Sequence, residues 1–314
     1  MSASRNTGPL GLFILATLML LLLPSCGDEP PPLRVNMALR QEIPLMTPSR
    51  ELTYAYLPQY TPAVSFKRQH LIVEHIAQSI GLPVRQVFPE SFADHMTMFG
   101  QGRIDISFSN PFVYIQIAKT NGARAIARAV DINGTGLSGQ IICRQDRQDL
   151  VTLADCRGKR WIATDPSSAG GFLYPLGLIL ESGLRKSDFA EIAFAGGNQE
   201  KVVYSVYRGE YDIGTIRNGT LDVMRGQMPV SEIRVLAQTR PYPNWVYAVR
   251  GGLDPAIADK IQAALISLDP QRPGDKTILD QAEIERFTLA ADSDFEPLRA
   301  LLQQIGHATA LEEK

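Results

Sequence analysis

The chain has 314 residues, 45% of them apolar and 20% charged, with a formal net charge of −2. That composition is ordinary for a folded body, and so small a net charge excludes a basic surface for nucleic acid. Any anion site has to be local, built from backbone amides and a few side chains.

Arg5 is the only early charge, and Leu12 to Leu23 is almost wholly apolar, ending in Leu23-Pro24-Ser25-Cys26-Gly27. A short apolar run closed by small residues reads as a secretory signal, too short for a spanning helix. Residues 1–25 are therefore expected to be a lipoprotein signal peptide, with Cys26 as the lipidated first residue after a cut resembling a bacterial lipobox. A plain signal with an incidental cysteine is the alternative. Residues 26–50, with Pro30, Pro31 and Pro32 in a row, read as a flexible tether. The expected location is the cell envelope, either the periplasm or the outer face of the cytoplasmic membrane, with a lipid anchor. About 265 residues remain, enough for one large or two modest domains.

Leu52 to Leu57 reads as a strand, followed by the loop Pro58-Gln59-Tyr60-Thr61-Pro62. Phe66 to Ile80 has helical spacing and is stopped by Gly81 and Pro83. Val84 to Phe88 is a strand, Phe92 to Phe99 a short helix, and Ile104 to Phe108 a strand. Ser109-Asn110-Pro111 then opens a helix to about Thr120. Ala125 to Val130 is another strand. The alternation predicts an α/β body with a parallel-type sheet. The glycine-rich stretch Asp131–Ser138 breaks the pattern and reads as a crossing into a second lobe. Gly139 to Cys143 is a strand, Leu150 to Asp155 a short helix, and Trp161 to Thr164 a strand.

Asp165-Pro166-Ser167-Ser168-Ala169-Gly170-Gly171 follows, ahead of a helix from Leu173 to Gly183. Strand, small-residue turn and helix make an anion pocket from helix N-terminal amides. An ordinary capped helix is the competing reading. Glu191 to Phe194 is a strand, Glu200 to Tyr207 a helix, and Tyr211 to Ile216 a strand ending at Arg217. A helix begins near Thr220, Arg234 to Gln238 is a strand, and Pro241-Tyr242-Pro243 reads as the return crossing. Helices follow at Pro255 to Leu268 and Phe295 to Ile305. The expected division is lobe 1 at 51–135 plus 243–314, and lobe 2 at 136–242.

Ligands of open α/β sheets sit beyond the carboxyl ends of the strands. Tyr60, Asn110 and Tyr114 are expected there in lobe 1, and Ser167, Ser168, Ala169, Gly170, Gly171, Asn198 and Arg217 in lobe 2. Arg217 is the candidate guanidinium for an oxyanion. Asp212 is a candidate for rejecting the wrong charge state, for holding a cationic substituent, for orienting Arg217, or for capping a turn. Cys143 and Cys156 leave three alternatives open: a disulfide, two buried thiols, or a soft-ligand site. The four histidines are scattered, and no spacing suggests a metal or other cofactor. No triad or paired carboxylate suggests an enzyme.

Gly158-Lys159-Arg160, Asp165-Pro166-Ser167-Ser168, Phe194-Ala195-Gly196-Gly197 and Gly209-Glu210-Tyr211-Asp212-Ile213-Gly214, together with Leu57-Pro58, Asn110-Pro111-Phe112-Val113-Tyr114 and Leu253-Asp254-Pro255, resemble in order the phosphate/phosphite/phosphonate periplasmic binding proteins. The resemblance covers roughly residues 50 to 270. It implies a type-2 periplasmic-binding fold: two α/β lobes, joined by two crossings, that close on a small oxyanion delivered to an ABC permease. Two departures bear on whether phosphonate itself is the ligand. Of the family's Ser-Thr-Ser before the glycine only Ser168 keeps a hydroxyl, and Asn198 stands where a histidine is common. Asp212 to Leu221, and Cys143-Arg144, look more like the sensor-associated branch. That implies the alternative of a ligand-binding component that signals to a separate histidine kinase.

Overall fold

The computed structural model describes residues 51–131 and 136–312. The signal, Cys26 and tether expected within residues 1–50 lie outside the described residues. In chain order the strands are β1 (Leu52–Tyr56), β2 (Val84–Val87), β3 (Ile106–Ser109), β4 (Arg124–Asp131), β5 (Gly139–Arg144), β6 (Arg160–Ala163), β7 (Glu191–Phe194), β8 (Ile213–Arg217), β9 (Ile233–Gln238), β10 (Val246–Val249) and β11 (Ile284–Leu289). The helices are α1 (Pro62–Ile80), α2 (Phe92–Gly100), α3 (Pro111–Asn121), α4 (Tyr174–Glu181), α5 (Gln199–Tyr207), α6 (Thr220–Met224), α7 (Pro255–Ile266), α8 (Pro273–Ala282) and α9 (Glu296–Glu312).

These strands form two sheets, in the orders β11-β4-β10-β3-β1-β2 and β7-β6-β8-β5-β9. Both are mixed rather than parallel. In the first, β1 runs parallel to β2 and β3, but β10 lies antiparallel between β3 and β4. In the second, β6 is parallel to β7 and β8, and β5 is antiparallel to β8 and β9. The expected parallel sheet fails where the chain leaves one sheet and re-enters it from the other, because a returning strand fills the gap in the opposite direction. The two crossings meet: the Tyr242 amide donates to the Leu137 carbonyl at 2.8 Å, and the Thr239 amide to that of Gly139 at 2.9 Å.

Four elements depart from the sequence expectation. α1 starts at Pro62, not Phe66, because proline suits the first helical position and Thr61 caps it. β10 is a four-residue apolar run too short to read by period. α8 and β11 were not expected at all. A bulge between Ile284 and Arg286 shifts the β11 register, so its buried residues Ile284 and Phe287 do not alternate.

The closing helix touches both layers. Phe295 and Leu298 are fully buried in an apolar cluster of the first lobe with Tyr114 and Val246, while Leu302 and Ile305 pack against the cluster of the second lobe around Trp161 and Leu176.

His95 on α2 is fully buried, with its Nε2 hydrogen-bonded to Ser107 Oγ at 2.8 Å. Burial pushes its pKa down to about 3, with Asp94 weakly opposing. The folded state keeps the ring neutral, while the unfolded chain takes up a proton near the ordinary value of about 6.5. The stability that His95 contributes is present above that value and is lost as pH falls toward 3, at about 1.4 kcal/mol per pH unit. His95→Gln should flatten the decline of denaturant-measured stability across that window; identical pH slopes for the two proteins would refute the assignment.

Candidate ligand-binding cleft

The turn after β6 is built on side-chain caps. Asp165 Oδ1 accepts from the Ser167 amide at 2.7 Å, and Ser168 Oγ accepts from the Gly171 amide at 3.0 Å. Burial pushes the Asp165 pKa up, against the bonds from Ser167. Ala169–Leu173 is a π-helical turn in which the Ser168 carbonyl accepts from both the Phe172 and Leu173 amides, at 3.1 and 3.0 Å. The wide turn leaves the Ala169 and Gly170 amides as the first helical donors, with no acceptor inside the helix.

A buried relay holds this turn from beneath. Trp161 Nε1 donates to Thr215 Oγ1 at 3.0 Å, and Thr215 Oγ1 donates to the Gly171 carbonyl at 2.6 Å. Thr164 Oγ1 donates to the Thr215 carbonyl at 3.1 Å. Space above the turn is equally fixed. A Cβ at Gly170 would lie 2.1 Å from the Tyr242 hydroxyl oxygen, so only glycine fits.

The opposite lobe faces the turn across a narrow cavity of about 10 Å³. Gln59, Phe92, Asn110, Pro111 and Trp245 line it from the first-sheet side, and Ser168, Ala169, Gly170, Gln199 and Arg217 from the second-sheet side. Asn110 serves two purposes. Its Oδ1 caps α3 through the Phe112 and Val113 amides, and its Nδ2 donates across the cleft to the Ser167 carbonyl at 3.2 Å. The lobes also meet at Gly197, whose φ of 92° suits glycine and where a Cβ would stand 3.3 Å from the Pro58 carbonyl oxygen. Gln59 is only 7% exposed, and its Nε2 has no partner among the described residues.

Asn110, Ser168, Ala169, Gly170 and Arg217 thus meet at one cavity, with Ser167 at its edge and Gly171 underneath. Tyr60 and Asn198 line a neighbouring recess with Tyr56 and Pro58. Asn198 Oδ1 caps α5 through the Lys201 amide at 2.8 Å.

Two expectations need correction, and of the alternatives for Cys143 and Cys156 the buried thiols are what the structure has. Tyr114 lies behind the first sheet: its hydroxyl donates to Asp292 Oδ1 at 2.8 Å and its ring packs on Phe295 at 4.7 Å. It sits one helical turn past Asn110, about 6 Å further along the α3 axis, where Asp292 and Phe295 cover it. Asp212 precedes β8, at the end of the strand opposite Arg217, and so cannot orient it. It accepts from Arg147 Nη1 at 2.7 Å and the Arg160 amide at 2.8 Å; burial opposes its charge, but these donors hold its pKa below the usual range. Cys143 and Cys156 are free thiols. Both are fully buried among Leu150, Trp161 and Leu176. Burial, with Cys143 adding to it, pushes the Cys156 pKa up to about 12, so they behave as small hydrophobes.

The sequence reading missed Gln59, Gln199, Tyr242, Trp245 and Arg68. Tyr242 and Trp245 lie in a segment read only as a crossing, and Gln59 in one read only as a loop. Arg68 on α1 stacks over Tyr60 with its guanidinium carbon 4.6 Å from the ring centroid, and pairs with Glu283. Burial lowers its pKa, but Tyr56, Tyr60 and Glu283 outweigh that and hold it above the ordinary value. Tyr56 is pushed up by burial and by Tyr60, while the charges of Arg68 and Arg217 both pull it down. Tyr56, Arg68 and Arg217 line one recess between the lobes.

Residues 54–295 match the family model described as ABC transporter, phosphonate, periplasmic substrate-binding protein. Among curated proteins the chain is similar to the phosphate-import protein PhnD of Mycolicibacterium smegmatis, with 25% identity over 61% of this chain and 63% of that one. It is also similar to the tetrathionate sensor histidine kinase TtrS of Salmonella typhimurium, with 22% identity over 53% of this chain. The match spans less than two thirds of the first relative and 31% of the second. Among solved structures, PhnD1 of Prochlorococcus marinus in complex with methylphosphonate superposes with a TM-score of 0.74 at 15% identity, covering 82% of this chain and 99% of that one. That likeness establishes the two-lobe fold.

Thr215→Val keeps the shape of the side chain but removes the relay. It leaves the Trp161 indole N–H buried without an acceptor, and should cost about 1–3 kcal/mol in chemical denaturation. A loss below about 0.5 kcal/mol would show that the relay does not hold the turn.

Proposed function

The chain belongs to the family of periplasmic substrate-binding proteins of phosphonate ABC transporters, which are binding proteins and not enzymes, and on that premise we propose that it captures a small phosphonate-, phosphite- or phosphate-like oxyanion for an ABC importer. The observation that carries the reading is the meeting of donors at one enclosed cavity. The Ala169 and Gly170 amides and Arg217 face it from one lobe, and the Gln59 amide from the other. Helix N-terminal amides and a guanidinium are suited to an oxyanion, and excluding water strengthens each hydrogen bond. The Asn110–Ser167 bond and the Gly197–Pro58 approach support closure of the two lobes about the crossings. The signal sequence and Cys26 support an N-terminal lipid anchor that holds this body at the envelope.

The match to a sensor kinase favours one second reading: the ligand-binding component of a two-component system with a separate kinase. Neighbouring genes discriminate. Permease and ATPase genes go with transport, and a kinase and regulator with sensing.

Calorimetry with phosphate, phosphite, methylphosphonate, sulfate, thiosulfate and arsenate should find at least one ligand bound in the micromolar range. Arg217→Ala should then weaken it by more than tenfold, consistent with about 1.5–3 kcal/mol for a charged hydrogen bond. Binding of none of these anions, or a change within about twofold for Arg217→Ala, rejects the assignment.

A further inference from the structure

Beside the inner cavity lies a second chamber of about 660 Å³, open between the lobes, and the two share Arg217 and Trp245 as walls. A site for one tetrahedral head would end at the inner cavity. Here it continues into space wide enough for a second group of similar size.

The donors and acceptors of this chamber are unbalanced. Arg68 Nε and Asn244 Nδ2 are buried and have no partner among the described residues. Asn244 is only 7% exposed, so its amide cannot turn to water. Gln59 Nε2, in the inner cavity, is in the same condition. All three are donors. The carboxylates on the chamber wall are already taken: Glu283 by Arg68, and Asp222 by Arg225 at 2.8 Å. Buried donors without acceptors are costly and rare, so the missing acceptors have to come from what binds there. Arg68 is further held in place, stacked on Tyr60 and tethered by Glu283. Glu283 is itself held in place as the left-handed cap that ends α8, with φ of 57° and its amide bonded to the Asp280 and Leu279 carbonyls.

We infer that the ligand is an anion with two oxyanion ends, one seated on the Ala169–Gly170 turn and the other received in the outer chamber by Arg68 and Asn244. This rests on the oxyanion reading and narrows it. Inorganic phosphate and methylphosphonate, with one such end, fill half of the site. Arg68 is then the residue that sets the preference for two ends over one.

Calorimetry on the full body compares pyrophosphate, phosphonoacetate and sulfoacetate with phosphate, methylphosphonate and sulfate. At least one two-ended probe should bind about tenfold or more tighter than its one-ended counterpart, as an added charge-assisted contact requires. Arg68→Met keeps an unbranched apolar stem on α1 but removes the guanidinium, and should cut that preference by about tenfold. Glu283→Gln releases Arg68 and should raise the preference by about threefold, a change that a purely structural Arg68 would not give. If Arg68→Met does not fold, the Glu283→Gln result decides. Equal affinity for one- and two-ended probes, or a preference unmoved by Glu283→Gln, overturns the two-ended ligand alone. Binding of no probe overturns the oxyanion reading with it.

Discussion

The hydroxyl of Thr215 is the constraint on which the cleft depends. It accepts the Trp161 indole proton and passes its own to the Gly171 carbonyl, with all of the participants buried. A carbonyl fixed in this way fixes the Gly171–Phe172 peptide, and so anchors the turn that carries the Ala169 and Gly170 amides. A loop could adopt the same path, but loops move. Here the backbone that would meet an anion is bonded through a strand residue into the middle of a sheet.

The second requirement is that two independent sheets present their carboxyl ends to each other. Gln59 and Asn110 follow β1 and β3, while Ser168 and Arg217 stand at the ends of β6 and β8. None of these residues alone makes an anion site in a chain with a net charge of −2. The arrangement brings Arg68 and Arg217 to one recess with Tyr56, so a local cationic site does not need a basic chain. The side chains nearest the turn mostly act as caps and braces: Asp165, Ser168, Asn110 and Asn198 each accept a backbone amide.

Much of this was legible in the sequence. Helical and strand periods located the two lobes, and the small-residue turn at Ser168–Gly171 marked the centre of the cleft, because steric tolerance and helix starts are written locally. What escaped depends on distant parts of the chain. Tyr114 shares a helix with Asn110, but only the packing of α9 decides that it faces Phe295 and Asp292 instead of the ligand. Asp212 and Arg217 are close in sequence, yet a strand carries them to opposite ends of the sheet. Arg68 shows nothing unusual in its helix; its role arises from a ring and a carboxylate that the fold brings to it. β11 was hidden by its own bulge, which breaks the alternation that reveals a strand.

The last helix adds a mechanical consequence. α9 buries Leu298 with the first lobe and rests Leu302 and Ile305 on the second, and Gly177 of α4 has no side chain where Leu301 comes close. Two crossings bonded to each other act as one axle, and a helix lying across both bodies acts as a spring. An opening that parted α9 from α4 would bring these apolar side chains into water, a cost that favours the arrangement seen here. Leucines that lie far from the cleft would then weigh on how long it stays shut.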